Sequence, residues 1–140
     1  MADVTIFHNP GCGTSRNTLE LLRHAGIEPT VIDYLKTPPS CEKVKELVRD
    51  MGITVRDLLR ETGTPYTALN LGDPKWTDEE LLECMQQHPV LMNRPVVQTP
   101  LGTKLCRPSE EVLEILPVPK LLPFTKEDGD VVHDAGTRRA

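Results

Sequence analysis

The chain has 140 residues, of which 38% are hydrophobic and 26% charged, so its length suits one domain and its composition does not indicate disorder. Its formal net charge of -5 excludes the general basic surface with which many proteins bind nucleic acid. It has no apolar run of about 20 residues, so no membrane-spanning helix is predicted. Its first residues carry neither a basic region nor an apolar stretch, so we predict no signal peptide and expect a cytoplasmic protein.

The first third of the sequence predicts a strand, a helix and a second strand. Residues 4–7 are β-branched or aromatic, which favours a strand. Residues 15–25 place leucines and an alanine near one helix face, and Gly26 is suited to end that helix. Residues 30–32 predict the second strand. In a βαβ unit of this size, about 30 residues, the two strands are parallel and the crossover is right-handed.

The middle of the chain predicts helices. Ser40 is placed to cap a helix whose apolar residues repeat at helical spacing. Thr54 is placed to cap a short helix that follows. Thr77 and Glu80 have the spacing of a capping box at the start of a third helix, which Pro89 ends.

Strand character returns near the end of the chain. Residues 95–97 and 103–106 predict two strands, and residues 100–102 supply the turn of a hairpin between them. Residues 108–116 predict a last helix. Residues 125–140 are polar, so we expect them to form an arm or a loose tail.

The elements therefore follow the order βαβ, helices, ββα. Without the helices, βαβ–ββα is the arrangement of the thioredoxin fold, so the predicted fold class is α/β, a thioredoxin-like mixed sheet with a helical insertion between the two halves. We predict a thioredoxin-like domain over residues 1–116, with the insertion at about residues 38–92. Residues 117–140 are predicted to be a C-terminal arm or tail that packs on the domain or trails from it.

Cys12 follows the first strand and lies just before the first helix. The free N–H groups at a helix start stabilise an anion, here the thiolate, and the nearby His8 and Arg16 are possible cations. Ser15 is placed to cap the helix or to donate a hydrogen bond to the thiolate. An ordinary cysteine is only about 3% ionised at pH 7, so we predict a Cys12 pKa well below the ordinary value. The glycines on both sides of Cys12 disfavour the alternative, a buried structural thiol.

Two other uses of a reactive cysteine do not fit this loop. A phosphatase loop needs an arginine six residues after the cysteine, where this chain has Thr18, and Arg16 is at the wrong offset. A dithiol oxidoreductase needs a second cysteine at the position of Ser15. The loop is therefore a monothiol version of the redox motif, and it needs an external thiol, for which glutathione is the obvious candidate.

The remaining cysteines, Cys41, Cys84 and Cys106, belong to no motif. The four cysteines have neither a C-x-x-C pair nor zinc-type spacing, so we expect no metal and no bound cofactor. We interpret these three as buried or incidental, although any of them could serve as the second thiol instead.

Three arginines are candidates for binding an anion, since guanidinium groups hold oxyanions through a fork of donors. They are Arg60, Arg94 and Arg107. Their spacing does not bring them together, and each alone is more typical of a solvated surface. Arg94 precedes Pro95 at the start of a strand, where the thioredoxin fold places a proline opposite the reactive cysteine. Because cis bonds are nearly confined to X–Pro, we predict a cis Arg94–Pro95 bond.

The loop sequence HNPGCGTSRNTL, residues 8–19, resembles the active-site loop of the glutaredoxin-linked arsenate reductases. The resemblance continues through residues 33–39 and 58–60 and through most of residues 88–110, and it spans about residues 4–128. One departure lies in the loop, where Gly11 stands in place of an expected alanine. We expect it to loosen the loop slightly and to leave the chemistry intact.

The resemblance implies a reaction as well as a fold. It implies that Cys12 attacks arsenate and forms a thiol–arsenic adduct, while Arg60, Arg94 and Arg107 bind the oxyanion. His8 and Ser15 match residues that help to hold the thiolate. Glutathione then attacks the adduct and glutaredoxin removes the glutathione, so that arsenite leaves. We expect no contact with nucleic acid or membrane, and we expect a monomer.

Two alternatives with the same fold have other functions. A redox-sensing transcription regulator that binds RNA polymerase uses a C-x-x-C pair, which Ser15 removes here. A glutathione-dependent thiol reductase with another substrate is the stronger alternative. The presence of all three arginines argues against it, because a general thiol reductase has no oxyanion to bind.

Overall fold

The structure is a computed structural model of the chain and describes residues 3–118 and 121–134. Contacts between residues divide the chain into two compact units. The first contains the described residues up to Asp33 and those from Arg94 onward, and the second is Tyr34–Asn93. Among the described residues, no helix is long and apolar enough to cross a membrane.

The first unit begins with the predicted βαβ motif. Strand β1, Thr5–His8, is followed by helix α1, Gly13–His24, and by strand β2, Thr30–Asp33. The strands β1 and β2 are parallel, as predicted for a βαβ unit. Helix α1 begins two residues before its predicted start, and the chain leaves it through Gly26, whose φ of 78° is readily adopted by glycine.

Two further strands complete the main sheet. Strand β3, Val96–Thr99, and strand β4, Gly102–Leu105, form the predicted hairpin, with ends shifted by one or two residues. Strand β3 is also antiparallel to β1, which gives a four-stranded mixed sheet in the order β2-β1-β3-β4. The sheet therefore brings residues from both ends of the chain together.

The core of the first unit lies where the sheet packs against α1 and the 3₁₀ helix Ser109–Ile115. Its buried residues are Val4, Ile6, Leu19, Leu21, Leu22, Val97, Cys106, Val112, Ile115 and Leu116. Burying one leucine or isoleucine side chain contributes about 1.5–3 kcal/mol, so these residues fix the position of α1 on the sheet.

Near the C-terminus the structure differs from the sequence prediction in two places. The segment predicted as a last helix is the 3₁₀ helix Ser109–Ile115, and Pro108 and Pro117 on its two sides limit its length. The expected arm contains a short hairpin, in which strand β5, Phe124–Thr125, pairs with strand β6, Val131–Val132. Residues 135–140 of the expected tail lie outside the described residues.

The second unit is helical. Helix α2, Cys41–Met51, is capped by Ser40, whose side chain accepts a hydrogen bond from the Lys43 N–H at 3.1 Å. The 3₁₀ helix Arg56–Leu58 follows Thr54, the predicted cap, whose hydroxyl accepts from the Asp57 N–H at 3.1 Å. The predicted Ser40 cap is present, whereas the N-cap of the 3₁₀ helix is Val55, one residue after Thr54.

Helix α3, Asp78–Gln87, begins with the predicted capping box. The Thr77 hydroxyl accepts from the Glu80 N–H at 3.2 Å, and the Glu80 carboxylate accepts from the Thr77 N–H at 3.0 Å. A 3₁₀ helix, Pro89–Leu91, ends the unit. These helices occur between the two halves of the βαβ–ββα motif, so the predicted thioredoxin-like fold class with a helical insertion is confirmed. The domain limits predicted at residues 116 and 117 stay a prediction.

The capping box gives a direct test of this local structure. Replacing Thr77 with Ala removes the acceptor for the Glu80 N–H and should lower the free energy of unfolding by about 1 kcal/mol. Thr77→Ser keeps the hydroxyl and is the matched control, expected to lose much less. Urea denaturation followed by circular dichroism measures both, and equal losses in the two variants would contradict a role for the hydroxyl.

Candidate active site

Strands β1 and β4 end, and strand β3 begins, at the same edge of the sheet. Strands β1 and β3 are antiparallel, and Phe7 pairs with Val96, so β1 ends where β3 begins. Val96 also pairs with Leu105, so β4 ends at the same edge. The segments next to these strand ends hold Cys12, Arg94 and Arg107.

The loop after β1 is folded around Asn9. The Cys12 N–H donates to the Asn9 carbonyl oxygen at 3.0 Å, and the Gly11 N–H donates to Asn9 Oδ1 at 2.9 Å. Cys12 is the extended residue immediately before α1. Its thiol therefore lies at the helix start, where backbone N–H groups are free to stabilise an anion.

The thiol of Cys12 is acidic for a cysteine. Partial burial raises its pKa, but hydrogen bonds from the Ser15 N–H, from Arg94 and from Arg107 lower it to about 7. The charge of Arg94 lowers the pKa further. With a pKa near pH 7, about half of the molecules carry the thiolate in neutral solution, compared with a few per cent for an ordinary cysteine.

Two arginines surround the thiol. The Arg107 Nη1 lies 3.8 Å from the Cys12 Sγ and also donates to the Arg94 carbonyl oxygen at 2.9 Å. The Arg94–Pro95 bond is cis, as predicted, and the Arg107–Pro108 bond is cis as well. The structure therefore brings together three of the predicted site residues, Cys12, Arg94 and Arg107, and it adds fixed positive charge beside the nucleophile.

His8 and Ser15 form a buried, hydrogen-bonded pair next to the loop that carries Cys12. The His8 Nδ1 lies 2.6 Å from the Ser15 Oγ, which also accepts from the Asn9 N–H at 3.0 Å. Burial lowers the pKa of His8, and a neutral His8 suits this arrangement because Nδ1 then accepts the Ser15 proton. The Ser15 hydroxyl therefore fixes the loop, and the hydrogen bond to the thiol comes from the Ser15 backbone.

Ser109 is a residue that sequence reasoning missed. Its hydroxyl donates to the Thr14 carbonyl oxygen at 3.0 Å and is buried. The bond joins the first turn of α1 to the segment that carries Arg107. No local sequence signal predicts this contact, because the two residues are far apart in the chain and meet only through the sheet.

Arg60 lies in the second unit, Tyr34–Asn93. Its N–H donates to the Leu91 carbonyl oxygen at 2.7 Å, and its Nε donates to the Thr62 carbonyl oxygen at 3.2 Å. These bonds place its backbone beside the isolated bridge between Leu59 and Met92. Its predicted contact with the oxyanion stays a prediction.

The other cysteines differ from Cys12. All four thiols are free, and Cys106 is fully buried in the core, where burial raises its pKa to about 12. Burial also raises the pKa of Cys84, and Cys41 is partly exposed. In residues 3–118 and 121–134, no three His, Cys, Asp or Glu side chains are grouped in a way that could hold a metal ion.

The fold and the site together define a thioredoxin-like protein with one activated thiol next to two arginines. The family model of the ArsC family matches residues 7–115, so the chain belongs to the ArsC family. This match includes the loop with Cys12 and both arginines that contact the thiol.

Relatives cover almost the whole chain. The arsenate reductase of Rhizobium meliloti (strain 1021) is 60% identical over 136 residues, which is 97% of each chain. An arsenate reductase of Escherichia coli is 60% identical over 139 residues, or 99% of each chain. Among solved structures, the arsenate reductase from Vibrio cholerae superimposes with a TM-score of 0.78 at 45% identity, and the match covers 81% of this chain and 98% of that one.

The acidity of Cys12 can be measured directly. We expect its rate of alkylation by iodoacetamide to rise with pH through a midpoint near 7 and then to level off, because the thiolate is the nucleophile and burial and hydrogen bonding lower the pKa to about 7. Cys12→Ser corrects for the other thiols. A midpoint of about 8.5, the value of a free thiol, would contradict the electrostatics described here.

Proposed function

We propose that this protein is an arsenate reductase in which Cys12 attacks arsenate and an external thiol completes the reduction to arsenite. The observation that carries the proposal is the Cys12 thiol, with a pKa of about 7, at 3.8 Å from the Arg107 guanidinium group. Near-complete coverage by relatives named arsenate reductase supports arsenate as the substrate.

The arginines address the main obstacle to the first step. A thiolate and an arsenate ion repel each other, because both are anions. Arg94 and Arg107 hold positive charge beside the Cys12 sulfur, so they offset this repulsion and stabilise the charge that develops as the sulfur–arsenic bond forms. We propose that Arg60 contributes a third guanidinium group to the oxyanion.

The reaction balances with two thiols. The Cys12 sulfur bonds to arsenic, and one arsenate oxygen leaves as water. Glutathione then supplies the second thiol, and two thiols become one disulfide as arsenic gains two electrons and leaves as arsenite. Glutaredoxin reduces the mixed disulfide and returns Cys12 to its thiol form, which completes the cycle.

Two features of the first unit support an external thiol. Ser15 occupies the place of a second redox cysteine, and Cys106, in the same unit as Cys12, is buried with a pKa of about 12. Such a thiol is not ionised at neutral pH and makes a poor resolving nucleophile. We therefore propose glutathione as co-substrate and glutaredoxin as partner. We also propose that the protein is a monomer and that it acts in the reducing cytoplasm.

We propose that His8 and Ser15 stabilise the thiolate indirectly, through the turn that carries Cys12. Their hydrogen bond is buried and fixes the turn that carries Cys12. A fixed turn keeps the Ser15 N–H directed at the sulfur in each catalytic cycle, so no reorganisation is needed when the thiolate is regenerated.

A coupled assay tests the proposed reaction. We expect oxidation of NADPH that requires arsenate, glutathione, glutaredoxin and glutathione reductase together, and we expect Cys12→Ser to abolish it because the nucleophile is lost. Omitting each component in turn is the control. Reactivity of Cys12 toward glutathione mixed disulfides with no arsenate-dependent turnover would favour the thiol reductase alternative instead.

The arginines give a second test. Arg107→Ala and Arg60→Ala should each lower kcat/KM for arsenate by about 100-fold, the usual effect of removing one preorganised donor to a developing anion. Arg49, an exposed arginine that pairs with the neighbouring Asp50, supplies the matched control, and Arg49→Ala should leave turnover unchanged. Near-normal kinetics of Arg107→Ala or Arg60→Ala would remove that residue from the site.

A further inference from the structure

The side chain of Arg16 is held across the reactive-cysteine loop, residues 9–13. Its Nη1 donates to the Pro10 carbonyl oxygen at 2.9 Å. Its Nε and Nη2 donate to the two carboxylate oxygens of Glu127 at 2.9 and 3.1 Å. A β-carbon at Gly13 would lie 3.6 Å from Nη2, so the guanidinium group passes directly over that residue. Arg16 therefore joins the loop before Cys12 to a residue near the C-terminus.

Glu127 is held in place by contacts that do not involve Arg16. It lies in the turn of the β5–β6 hairpin, where its own N–H donates to Asn17 Oδ1 at 3.0 Å. The preceding residue, Lys126, pairs with Glu110 at 2.9 Å and donates its N–H to the Asp130 carbonyl oxygen at 2.8 Å. The hairpin turn is thus anchored on α1 on one side and on the 3₁₀ helix Ser109–Ile115 on the other.

The base of the hairpin is also anchored. Phe124 packs against the core of the first unit and lies 5.4 Å, ring to ring, from His24 of α1. Asp134 accepts a hydrogen bond from the Leu121 N–H at 2.7 Å. The position of the Glu127 backbone is therefore set by the fold rather than by its ion pair.

We propose that Glu127 is a positioning residue for the reactive-cysteine loop and that it acts through Arg16. An exposed arginine samples many rotamers, and a bidentate carboxylate on an anchored backbone selects one of them. In that rotamer Arg16 keeps its bond to the Pro10 carbonyl and keeps its charge near Cys12. The inference rests on the proposed thiolate chemistry of Cys12 and is independent of whether arsenate is the substrate.

The charges of Glu127 and Arg16 distinguish positioning of Arg16 by Glu127 from a direct electrostatic effect of the Glu127 carboxylate on Cys12. The Glu127 carboxylate and, to a smaller extent, the Cys12 thiolate raise the pKa of Arg16. Taken alone, the negative charge of Glu127 opposes thiolate formation. Positioning of Arg16 favours it, so the two effects of Glu127 on the Cys12 pKa have opposite signs.

The experiment compares wild type with Glu127→Gln by the pH dependence of Cys12 alkylation. Positioning through Arg16 predicts that the midpoint moves upward and that the rate at pH 6.5 falls about twofold to fivefold, on the scale of one exposed ion pair. A downward shift would mean that Glu127 acts only as a nearby negative charge. An unchanged midpoint would mean an ion pair without effect on the loop, and either result overturns the proposal.

Matched variants exclude other causes. Asp130→Asn removes a carboxylate from the same hairpin without touching Arg16, so it should stay near the wild-type midpoint. In an Arg16→Gln background, Glu127→Gln should no longer raise the midpoint, because only the loss of a nearby negative charge remains, and an upward shift there would contradict action through Arg16. Thermal unfolding of each variant shows whether the hairpin is still docked. Because arsenate is absent throughout, failure of the proposed reductase activity would leave these results unaffected.

Discussion

The Cys12 thiolate is the feature on which the rest of the site depends, because a half-buried anion is unfavourable without donors and cations around it. Burial raises the pKa of Cys12, and hydrogen bonds from three separate parts of the chain overcome that effect. They come from the first turn of α1, from Arg94 two residues before β3 and from Arg107 two residues after β4. The acidic thiol therefore exists only when the four-stranded sheet is assembled.

The sequence predicts those parts of the fold and site that depend on residues close together in the chain. Cys12 lies between a strand and a helix in the sequence, and that placement alone predicts an activated thiol. The hydrogen bonds of Ser40, Thr54 and Thr77 are equally local, since each hydroxyl bonds to an N–H only three residues away. The fold class followed from the order of such local elements.

The other contacts of the site join residues that are far apart in the chain, and spacing within one sequence does not reveal such contacts. Arg107 is 95 residues from Cys12 and Glu127 is 111 residues from Arg16, and only the sheet and the hairpin bring each pair together. The hairpin did carry an unused local signal, because Asp-Gly at residues 128 and 129 is a frequent turn dipeptide. The predicted last helix is a 3₁₀ helix, a difference that apolar periodicity alone does not reveal over so short a segment.

The contrast between Cys12 and Cys106 shows how this fold assigns reactivity to a thiol. Both belong to the first unit, and Cys106 directly precedes Arg107, yet the pKa values are about 7 and about 12. Burial raises both values, but only Cys12 receives hydrogen bonds from a helix start and from guanidinium groups. Proximity in sequence to a cation is thus insufficient, because the donors must point at the sulfur. The same fold therefore activates one thiol of this unit and suppresses the other.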